Sequence, residues 1–248
     1  MTKIAIIGGS GLENPEILHN AEHLTLKTPY GDPSSDFICG SIGQVDVVLL
    51  SRHGRDHTIP PSQVNNRANL FAINQLGCTH ILATTACGSL REEIGRGNLV
   101  IPDQFIDFTR HRETTFFKEF LPHEMKHTQM ADPFNKYLRE KLITAGRELN
   151  LSIHQSGCII TIEGPRFSTR AESRMFRSWG GDMINMSTAP ECILANELAI
   201  PYAAVAMATD YDSWKEDETP VSWEEILLVF GKNVHNVINI LLKVIPSV

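Results

Sequence analysis

Two carboxylates, Asp210 and Asp212, stand at the end of an apolar run in the segment AMATDYDSWKE. The residues before them, AIPYAAVAMAT, are small and apolar, which is typical of a strand buried on both faces. Burying a carboxyl group is costly unless it is paired, so we expect these acids to face a ligand that carries N–H donors or needs a proton. An apolar site would raise a carboxyl pKa and let one acid donate that proton. The alternative is that both acids cap the following loop or pair with Lys215.

Four other stretches have polar residues at the end of a candidate strand or just before a candidate helix. They are GGSG (8–11), SRHGRDH (51–57), TTACGS (84–89) and INMST (184–188). An arginine fork suits a phosphate group, and the bare backbone of a glycine turn can approach an oxyanion closely. Each stretch alone has an ordinary explanation: a tight turn, a solvated surface pair, or threonine in a strand. If the stretches converge, one tetrahedral anion could be surrounded by Ser10, Arg52, His53, Thr85 and Ser187.

The glycine-rich start does not match the common nucleotide-binding fingerprints. In IAIIGGSGL the dinucleotide motif would need glycine at position 14, where Asn14 stands and Pro15 follows. The Gly-Lys-Ser/Thr ending of a P-loop is missing as well. The glycines therefore favour an anion-binding turn or a plain turn over a dinucleotide site.

Strand-like and helix-like segments alternate along the chain, which predicts an α/β protein with a mostly parallel or mixed sheet. In such sheets ligands bind beyond the carboxyl ends of the strands, where the polar stretches lie. Asp132 and Pro133 are predicted to start one helix, and Thr188 and Glu191 have the spacing of a capping box that starts another. The apolar stripe of the first of these helices comprises Phe134, Leu138, Leu142, Ala145 and Leu149. A last helix is predicted from near Ser222 to about Lys243.

The bulk composition is that of a soluble globular protein: 248 residues, 42% hydrophobic and 21% charged, with a net charge of −7. This charge argues against nucleic acid as the main partner, because phosphate-backbone affinity needs clustered Lys and Arg. The N-terminus lacks a signal peptide, and no apolar run reaches the roughly 18 residues of a membrane span. The five scattered cysteines fit reduced thiols. We therefore expect one cytoplasmic domain over residues 1–248.

Five motifs together resemble the trimeric purine nucleoside phosphorylases, in the same order and over nearly the whole chain. They are IAIIGGSGLENPEIL, SRHGRDHTIPPSQVNNRANLFA, TTACGSLREEI, TIEGPRFSTRAESRMFRSWGGDMINMS and AMATDYDSWKE. The resemblance implies the phosphorylase fold, a mixed twisted β-sheet surrounded by helices. It also implies the reaction, in which phosphate attacks C1' of a nucleoside and frees the purine. The closest likeness is to the members that convert 5'-methylthioadenosine to adenine and 5-methylthioribose 1-phosphate, in methionine and purine salvage.

The resemblance also implies roles for single residues. Phosphate would be held by Ser10, Arg52, His53, Thr85, Ala86 and Ser187. The nucleoside would be contacted by Met186 under the ribose, by Asn185 and Phe167 nearby, by Asp210 and Asp212 at the purine, and by Ser168 at its Watson–Crick edge. Asp210 would be the proton donor to purine N7, and Asp212 would fix the base. The reaction would need no metal or organic cofactor, since phosphate is a co-substrate.

The resemblance further implies a preference for adenine. Relatives selective for 6-oxopurines carry Asn at position 210 and Glu at position 168, whereas this chain has Asp210 and Ser168. A carboxyl oxygen accepts the N6–H of adenine and repels a 6-oxo group.

Contacts to the 5' substituent are implied for Val221, Trp223 and Ile226. Relatives often have a smaller apolar residue where Trp223 stands, and some longer ones carry a C-terminal extension beyond the position of Val248. A broader adenosine or 6-oxopurine phosphorylase therefore stays open, as does a nucleotide-binding module without catalysis. His127 resembles the residue that members lend to a neighbouring subunit, which implies a homotrimer or a dimer of trimers.

Overall fold

The computed structural model describes residues 2–9, 11, 12, 15–217 and 223–248, with side chains throughout except at position 15 and over 223–228. Its strands are β1 (Lys3–Gly8), β2 (His19–Leu24), β3 (Phe37–Ile42), β4 (Val45–Ser51), β5 (His80–Ser89), β6 (Leu99–Val100), β7 (Gln104–Phe108), β8 (Ile153–His154), β9 (Cys158–Ile162), β10 (Met183–Asn185) and β11 (Tyr202–Tyr211). Its helices are α1 (Asn66–Gln75), α2 (Lys136–Glu148), α3 (Arg170–Ser178), α4 (Thr188–Glu197) and α5 (Trp223–Val244). Short 3-10 turns cover Pro15–Ile17, Pro61–Gln63 and Ile245–Ser247.

These strands form one mixed sheet that branches at β5. The main path runs β2-β3-β4-β1-β5-β10-β9-β7, and β11 leaves this path to pair with both β5 and β6. β5 is parallel to β1 and β11 but antiparallel to β10. The carboxyl ends of β1, β4, β5 and β11 therefore lie at the same edge of the sheet, and the expected α/β class with a mixed sheet is confirmed.

The central strands are buried on both faces because helices cover both sides of the sheet. In β1, Ile4 and Ile6 pack against α2 and α5, while Ala5 and Ile7 pack against α1 and α4. The first eight residues of β11 are also fully buried, as its small apolar run predicts. Burying one such aliphatic side chain contributes about 1.5–3 kcal/mol, so both helical layers anchor the strands that position the site.

Two helix starts differ from the sequence prediction. α2 begins three residues later than expected, because the Asn135 side chain, not Asp132, accepts the hydrogen bond of an N-cap, from the Leu138 N–H. Phe134 consequently lies outside the helical stripe and packs with the α1 and α4 cluster. At α4 the N-cap is Ser187 without a side-chain cap, so the capping box of Thr188 and Glu191 is wrong.

A capping box does occur at α3, where the sequence analysis did not look for one. The Thr169 side chain accepts the Glu172 N–H, and the Glu172 side chain accepts the Thr169 N–H at 2.7 Å. None of the helices in the described ranges has the length and apolar character needed to cross a lipid bilayer.

Candidate active site

The ladder between β5 and β11 contains an irregularity next to the two acids. Ala208 pairs with Cys87, but Asp210 pairs with Gly88, so Thr209 is the extra residue of a β-bulge. Bulges re-aim side chains, and they are common beside active sites. Because of this bulge, Asp210 stands opposite Gly88 rather than one residue further along β5.

Asp210 is held at one oxygen by the residue before it in the strand. The Thr209 hydroxyl donates to Oδ1 of Asp210 at 2.7 Å. A Cβ added at Gly88 would lie 3.6 Å from Oδ2 of Asp210 and 3.1 Å from Ile184. Glycine at position 88 therefore avoids a tight contact with Ile184, whereas a Cβ there would be at ordinary contact distance from the carboxyl group.

Asp212 lies deeper, beside two serine hydroxyls. Its side chain is 6% exposed, and its Oδ2 has no hydrogen-bond partner among the described residues. The hydroxyls of Ser168 and Ser173 are also buried, and neither makes a standard hydrogen bond to a described residue. Burial raises the pKa of the Asp212 carboxyl, and nearby Ser173, the Ser213 N–H and Ser168 offset only part of that rise. Asp212 is therefore buried beside two serine hydroxyls, and its Oδ2 makes no hydrogen bond to a described residue.

The opposite end of the site is a closed network of hydroxyl and amide groups. Asn185 donates to the hydroxyls of Thr85 at 3.0 Å and Thr188 at 2.6 Å. Its carbonyl oxygen accepts from Thr161, and Thr85 and Ser187 are 3.0 Å apart. Ser187 is the N-cap of α4, so the partial positive charge of a helix N-terminus lies at this end. The N–H groups of Ser187 and Thr188 donate to the Asn185 side chain, and that of Ala189 donates to the Thr161 hydroxyl. Such an arrangement suits an anion.

Arg52 lies beneath this network but points most of its donors away from it. Its Nε and Nη2 donate to the Glu191 carboxylate at 2.7 and 2.9 Å, and its Nη1 donates to the Thr84 carbonyl. Burial alone would lower the pKa of Arg52, but the Glu191 carboxylate outweighs it and raises that pKa. The expectation that the arginine fork would face an anion needs correction, because the fork is occupied by Glu191.

The turn after β4 places two imidazoles at the cavity. His53 Nδ1 is 2.9 Å from the Ile59 carbonyl oxygen, and the rings of His53 and His57 are 4.7 Å apart. His57 has a positive φ of 53°, a conformation in which few side chains occur. The turn thus brings the ring of His57, exposed at the rim, onto that of His53.

Met186 is fixed from two sides. Arg112, whose side chain is 4% exposed, donates to the carbonyl oxygens of Met186 and Glu163 at 2.6 Å each. Glu163 in turn accepts the backbone N–H of Arg110. A Cβ at Gly164, where φ is +67°, would lie 2.5 Å from the Met186 sulfur. Arg110 and Arg112 therefore hold together the residues that follow β9 and β10, the two strands whose ends frame the cavity.

One cavity of about 190 Å³ collects these groups. Its walls include ten of the residues that the sequence analysis proposed: Arg52, His53, Thr85, Ala86, Phe167, Asn185, Met186, Ser187, Asp210 and Asp212. Hydroxyl, amide and helix N-terminal groups lie at one end and two carboxyl groups at the other. The arrangement can hold an anion and a hydrogen-bond donor at the same time.

Comparison with known proteins identifies the family. A family model described as "Phosphorylase superfamily" matches residues 3–246.

This chain belongs to the phosphorylase superfamily.

Within the phosphorylase superfamily, relatives named S-methyl-5'-thioadenosine phosphorylase are similar over nearly their whole length. The protein from Xenopus tropicalis is 53% identical over 99% of this chain and 89% of its own, and the one from Danio rerio is 50% identical with the same coverage. Among solved structures, methylthioadenosine phosphorylase from Schistosoma mansoni in complex with adenine is 41% identical. It has a TM-score of 0.93, covering 100% of this chain and 92% of that one.

A mutant of the Schistosoma mansoni protein named adenosine/methylthioadenosine phosphorylase, in complex with methylthioadenosine, has a TM-score of 0.92. It is 40% identical and covers 100% of this chain and 92% of its own. The phosphorylase fold expected from the motifs is therefore confirmed.

Several proposed residues of this phosphorylase-superfamily chain do not line the cavity or fall outside the described residues. Ser168 lines a neighbouring cavity, where its carbonyl accepts from the Ser213 hydroxyl at 2.8 Å. His127 is exposed on the segment between β7 and α2, with its ring 5.9 Å from that of Phe120. Ser10 and Val221, and the side chains of Trp223 and Ile226, fall outside the described residues.

Glu191 and Arg112 also shape the site of this phosphorylase-superfamily chain, although no sequence pattern pointed to them. Both are charged residues with distant partners, Arg52 at 139 positions from Glu191 and Met186 at 74 positions from Arg112, so no local pattern shows these partners. The one available signal was Glu191 in an otherwise apolar helix, and that signal also fits a capping box. Across the described residues, no group of three or more His, Cys, Asp and Glu side chains is arranged to hold a metal ion.

Proposed function

We propose that this chain cleaves S-methyl-5'-thioadenosine with phosphate and releases adenine and 5-methylthioribose 1-phosphate. The observation that carries the proposal is the cavity with two unlike ends, hydroxyl and helix N-terminal groups at one and carboxyl groups at the other. Phosphorolysis needs both, because it joins an anion to a sugar while a purine leaves. Relatives of this name at 46–53% identity support the choice of reaction.

In this proposal phosphate occupies the end formed by α4 and the β4 and β5 strand ends. The residues assigned to it are Ser10, Arg52, His53, Thr85, Ala86 and Ser187. The hydroxyls of Thr85 and Ser187 supply donors, and the α4 N-terminus adds partial positive charge. A phosphate held there stabilises the positive charge that develops on the sugar. Met186, clamped by Arg112, supports the ribose, with Asn185 and Phe167 beside it.

The proposed step transfers the sugar from the purine to phosphate. A phosphate oxygen forms a bond to C1', the C1'–N9 bond breaks, and its electron pair leaves with the purine. Asp210 transfers its proton to purine N7, and the proton that phosphate loses on forming the ester restores Asp210. General-acid help of this kind contributes roughly 10²–10⁴-fold to the rate.

The base end explains the proposed preference for adenine. Asp212 and Ser168 present oxygen atoms that lack donors among the described residues. The 6-amino group of adenine brings N–H donors to such a place, whereas a 6-oxo group brings another acceptor. Leaving buried polar groups unpaired gives strong rejection of the wrong base.

We also propose a homotrimer, or a dimer of trimers, in which His127 serves the neighbouring site. Phe120, Leu121 and Met125, which share its segment, are 42%, 63% and 71% exposed, and Phe167 on the cavity wall is 64% exposed. Apolar side chains grouped on a surface mark an interface. A neighbouring subunit would cover both groups at once.

Three further assignments belong to the proposal. Residues 1–248 are taken as a single nucleoside phosphorylase domain, which one continuous sheet supports. Phosphate is the co-substrate, and no metal or organic cofactor takes part. The protein is cytoplasmic, as its five free cysteines fit a reducing compartment.

Competition between methylthioadenosine, adenosine and inosine, with and without phosphate, tests the function. We expect adenine release from methylthioadenosine only when phosphate is present. Equal release without phosphate would indicate a hydrolase, and no release at all would indicate a binding module. Adenosine is the second candidate substrate, because the similar Schistosoma mansoni protein is named for both nucleosides.

A further inference from the structure

Glu191 is an acid buried against the cationic side chain of the cavity. Its residue is 1% exposed and lies in the first turn of α4. Both carboxylate oxygens accept from Arg52, at 2.7 and 2.9 Å, and Oε1 also accepts the Tyr202 hydroxyl at 2.7 Å. Every partner is itself almost fully buried, so no bulk water screens this ion pair.

The ion pair uses up most of what Arg52 could offer to an anion. A guanidinium has five N–H donors, and the contacts of Nε and Nη2 with Glu191 and of Nη1 with the Thr84 carbonyl take three of them. A fourth points at the Ile7 carbonyl at 3.5 Å. Within the described part of the chain one Nη1–H stays available, beneath Gly9, whose added Cβ would lie 3.3 Å from Nη1.

Glu191 is also close in sequence and space to the anion end. Ser187, which lines the cavity, lies four positions earlier, which is one helical turn. Arg52, which also lines the cavity, joins Glu191 to this end through their ion pair. A phosphate dianion bound at Ser187 therefore has a fixed negative charge about one turn away, in surroundings where charges interact strongly.

We propose that Glu191 is a charge-balancing and positioning residue that offsets Arg52 and so limits how tightly this site holds phosphate and the sugar phosphate product. The inference rests on the proposed function, since it assigns the anion end to phosphate. Hydroxyl donors and the partial positive charge of the α4 N-terminus then supply most of the binding, and Arg52 supplies one directed N–H. Weak retention of a dianion lets the product leave after each turnover.

The test is titration of the full-length protein with inorganic phosphate by calorimetry, in the wild type, Glu191→Gln and the control Glu148→Gln. Glu148 carries the same charge in a surface ion pair with Lys243 at the end of α2. We expect phosphate to bind at least threefold more tightly to Glu191→Gln, with a lower kcat because product leaves more slowly. The KM for nucleoside should change less than twofold, and the control should match the wild type.

Loss of a residue with a merely structural role would not give this result, because it would weaken the binding of phosphate and of nucleoside together. Phosphate affinity that falls, or that stays within threefold of the wild type, overturns the inference. Failure of the wild type to release adenine would overturn the proposed function instead, and the phosphate titration would still be measurable.

A second variant covers the case in which Glu191→Gln does not fold. The double variant Arg52→Met/Glu191→Met replaces the pair by apolar groups, an exchange that buried ion pairs often tolerate. Because the pair contributes little net charge, we expect its phosphate affinity to fall by less than tenfold. A fall of tenfold or more would mean that Arg52 acts as an uncompensated cation, and would overturn the inference.

Discussion

The two ends of the cavity differ in how far the protein satisfies its own polar groups. At the anion end, Asn185, Thr85, Ser187 and Arg52 all have hydrogen-bond partners within the chain. At the base end, Oδ2 of Asp212 and the hydroxyls around it have none among the described residues. Asp212 and Ser168 are as deeply buried as Asn185, Thr85 and Ser187, so exposure to water does not explain the difference.

The contrast indicates two ways to build a binding surface. A closed network is preorganised, so it can stabilise charge without rearranging when the reaction occurs. Buried acceptors without donors are instead costly until a ligand supplies N–H groups. The anion end is therefore preorganised for charge, and the base end selects the purine and, through Asp210, assists its departure.

The largest expected effect comes from Asp210→Asn at the base end. The amide can still accept the Thr209 hydroxyl at Oδ1, so the fold should persist, but it can no longer transfer a proton to N7. We expect kcat with methylthioadenosine to fall roughly 10²–10⁴-fold. Relative activity should shift toward inosine, as measured by release of adenine and hypoxanthine.

Asp46→Asn, which changes an exposed acid on β4, is the matched control and should behave like the wild type. An unchanged base preference in Asp210→Asn would show that the carboxyl group does not read the purine, and the contrast between the two ends would lose its functional meaning.

A pair of neighbouring threonines tests the anion end. Thr85→Val removes a hydroxyl that bonds to Asn185 and Ser187, so the KM for phosphate should rise about tenfold and the free energy of unfolding should fall by about 1–3 kcal/mol. Thr84→Val removes a buried hydroxyl that has no partner among the described residues, and it should be neutral or slightly stabilising.

Phosphate kinetics and urea unfolding of both variants provide the measurement. Equal losses at positions 84 and 85 would contradict the view that the network, rather than threonine in general, builds the anion end.

The smallest expected effect is the pH dependence that the Asp212 carboxyl gives to the free energy of unfolding. Burial raises the pKa of this carboxyl above its ordinary 3.8, so the folded state binds the proton more tightly than the unfolded state. Stability contributed by the protonated acid is therefore lost as pH rises from about 3.8 through the higher folded pKa. Each pKa unit corresponds to about 1.4 kcal/mol.

Asp212→Asn removes this dependence. Relative to the wild type, the variant should gain unfolding free energy as pH rises from 3.5 to 7, as followed by urea unfolding at each pH. A difference that is constant over this range would show that the Asp212 carboxyl does not titrate differently in the folded protein.

The β11 strand shows why much of the site was accessible from the sequence. A small apolar run followed by acids identifies a buried strand with a polar end, because burial on both faces admits few polar residues. Most of the ten cavity residues proposed in advance lie at strand ends or just after them, whereas Thr85 and Ala86 lie within β5 and Phe167 lies in the loop before α3. The α/β class follows from the same reasoning, since both depend on local patterns.

Helix starts were less accessible, since several residue types suit the same position. Asp132 and Asn135 are both good N-cap residues, and in the structure Asn135 takes that position. The spacing of Thr188 and Glu191 also fits a capping box, yet the energy of pairing a buried arginine outweighs that of a cap.

The amino-acid sequence by itself determined which strands are buried and which polar side chains end them, because hydrophobic periodicity acts over neighbouring residues. Only the tertiary structure decided that Glu191 would occupy the fork of Arg52, 139 positions away, and that Thr209 would bulge and set Asp210 opposite Gly88. Partners across the sheet and ladder register depend on how distant strands align, and no local pattern carries that information.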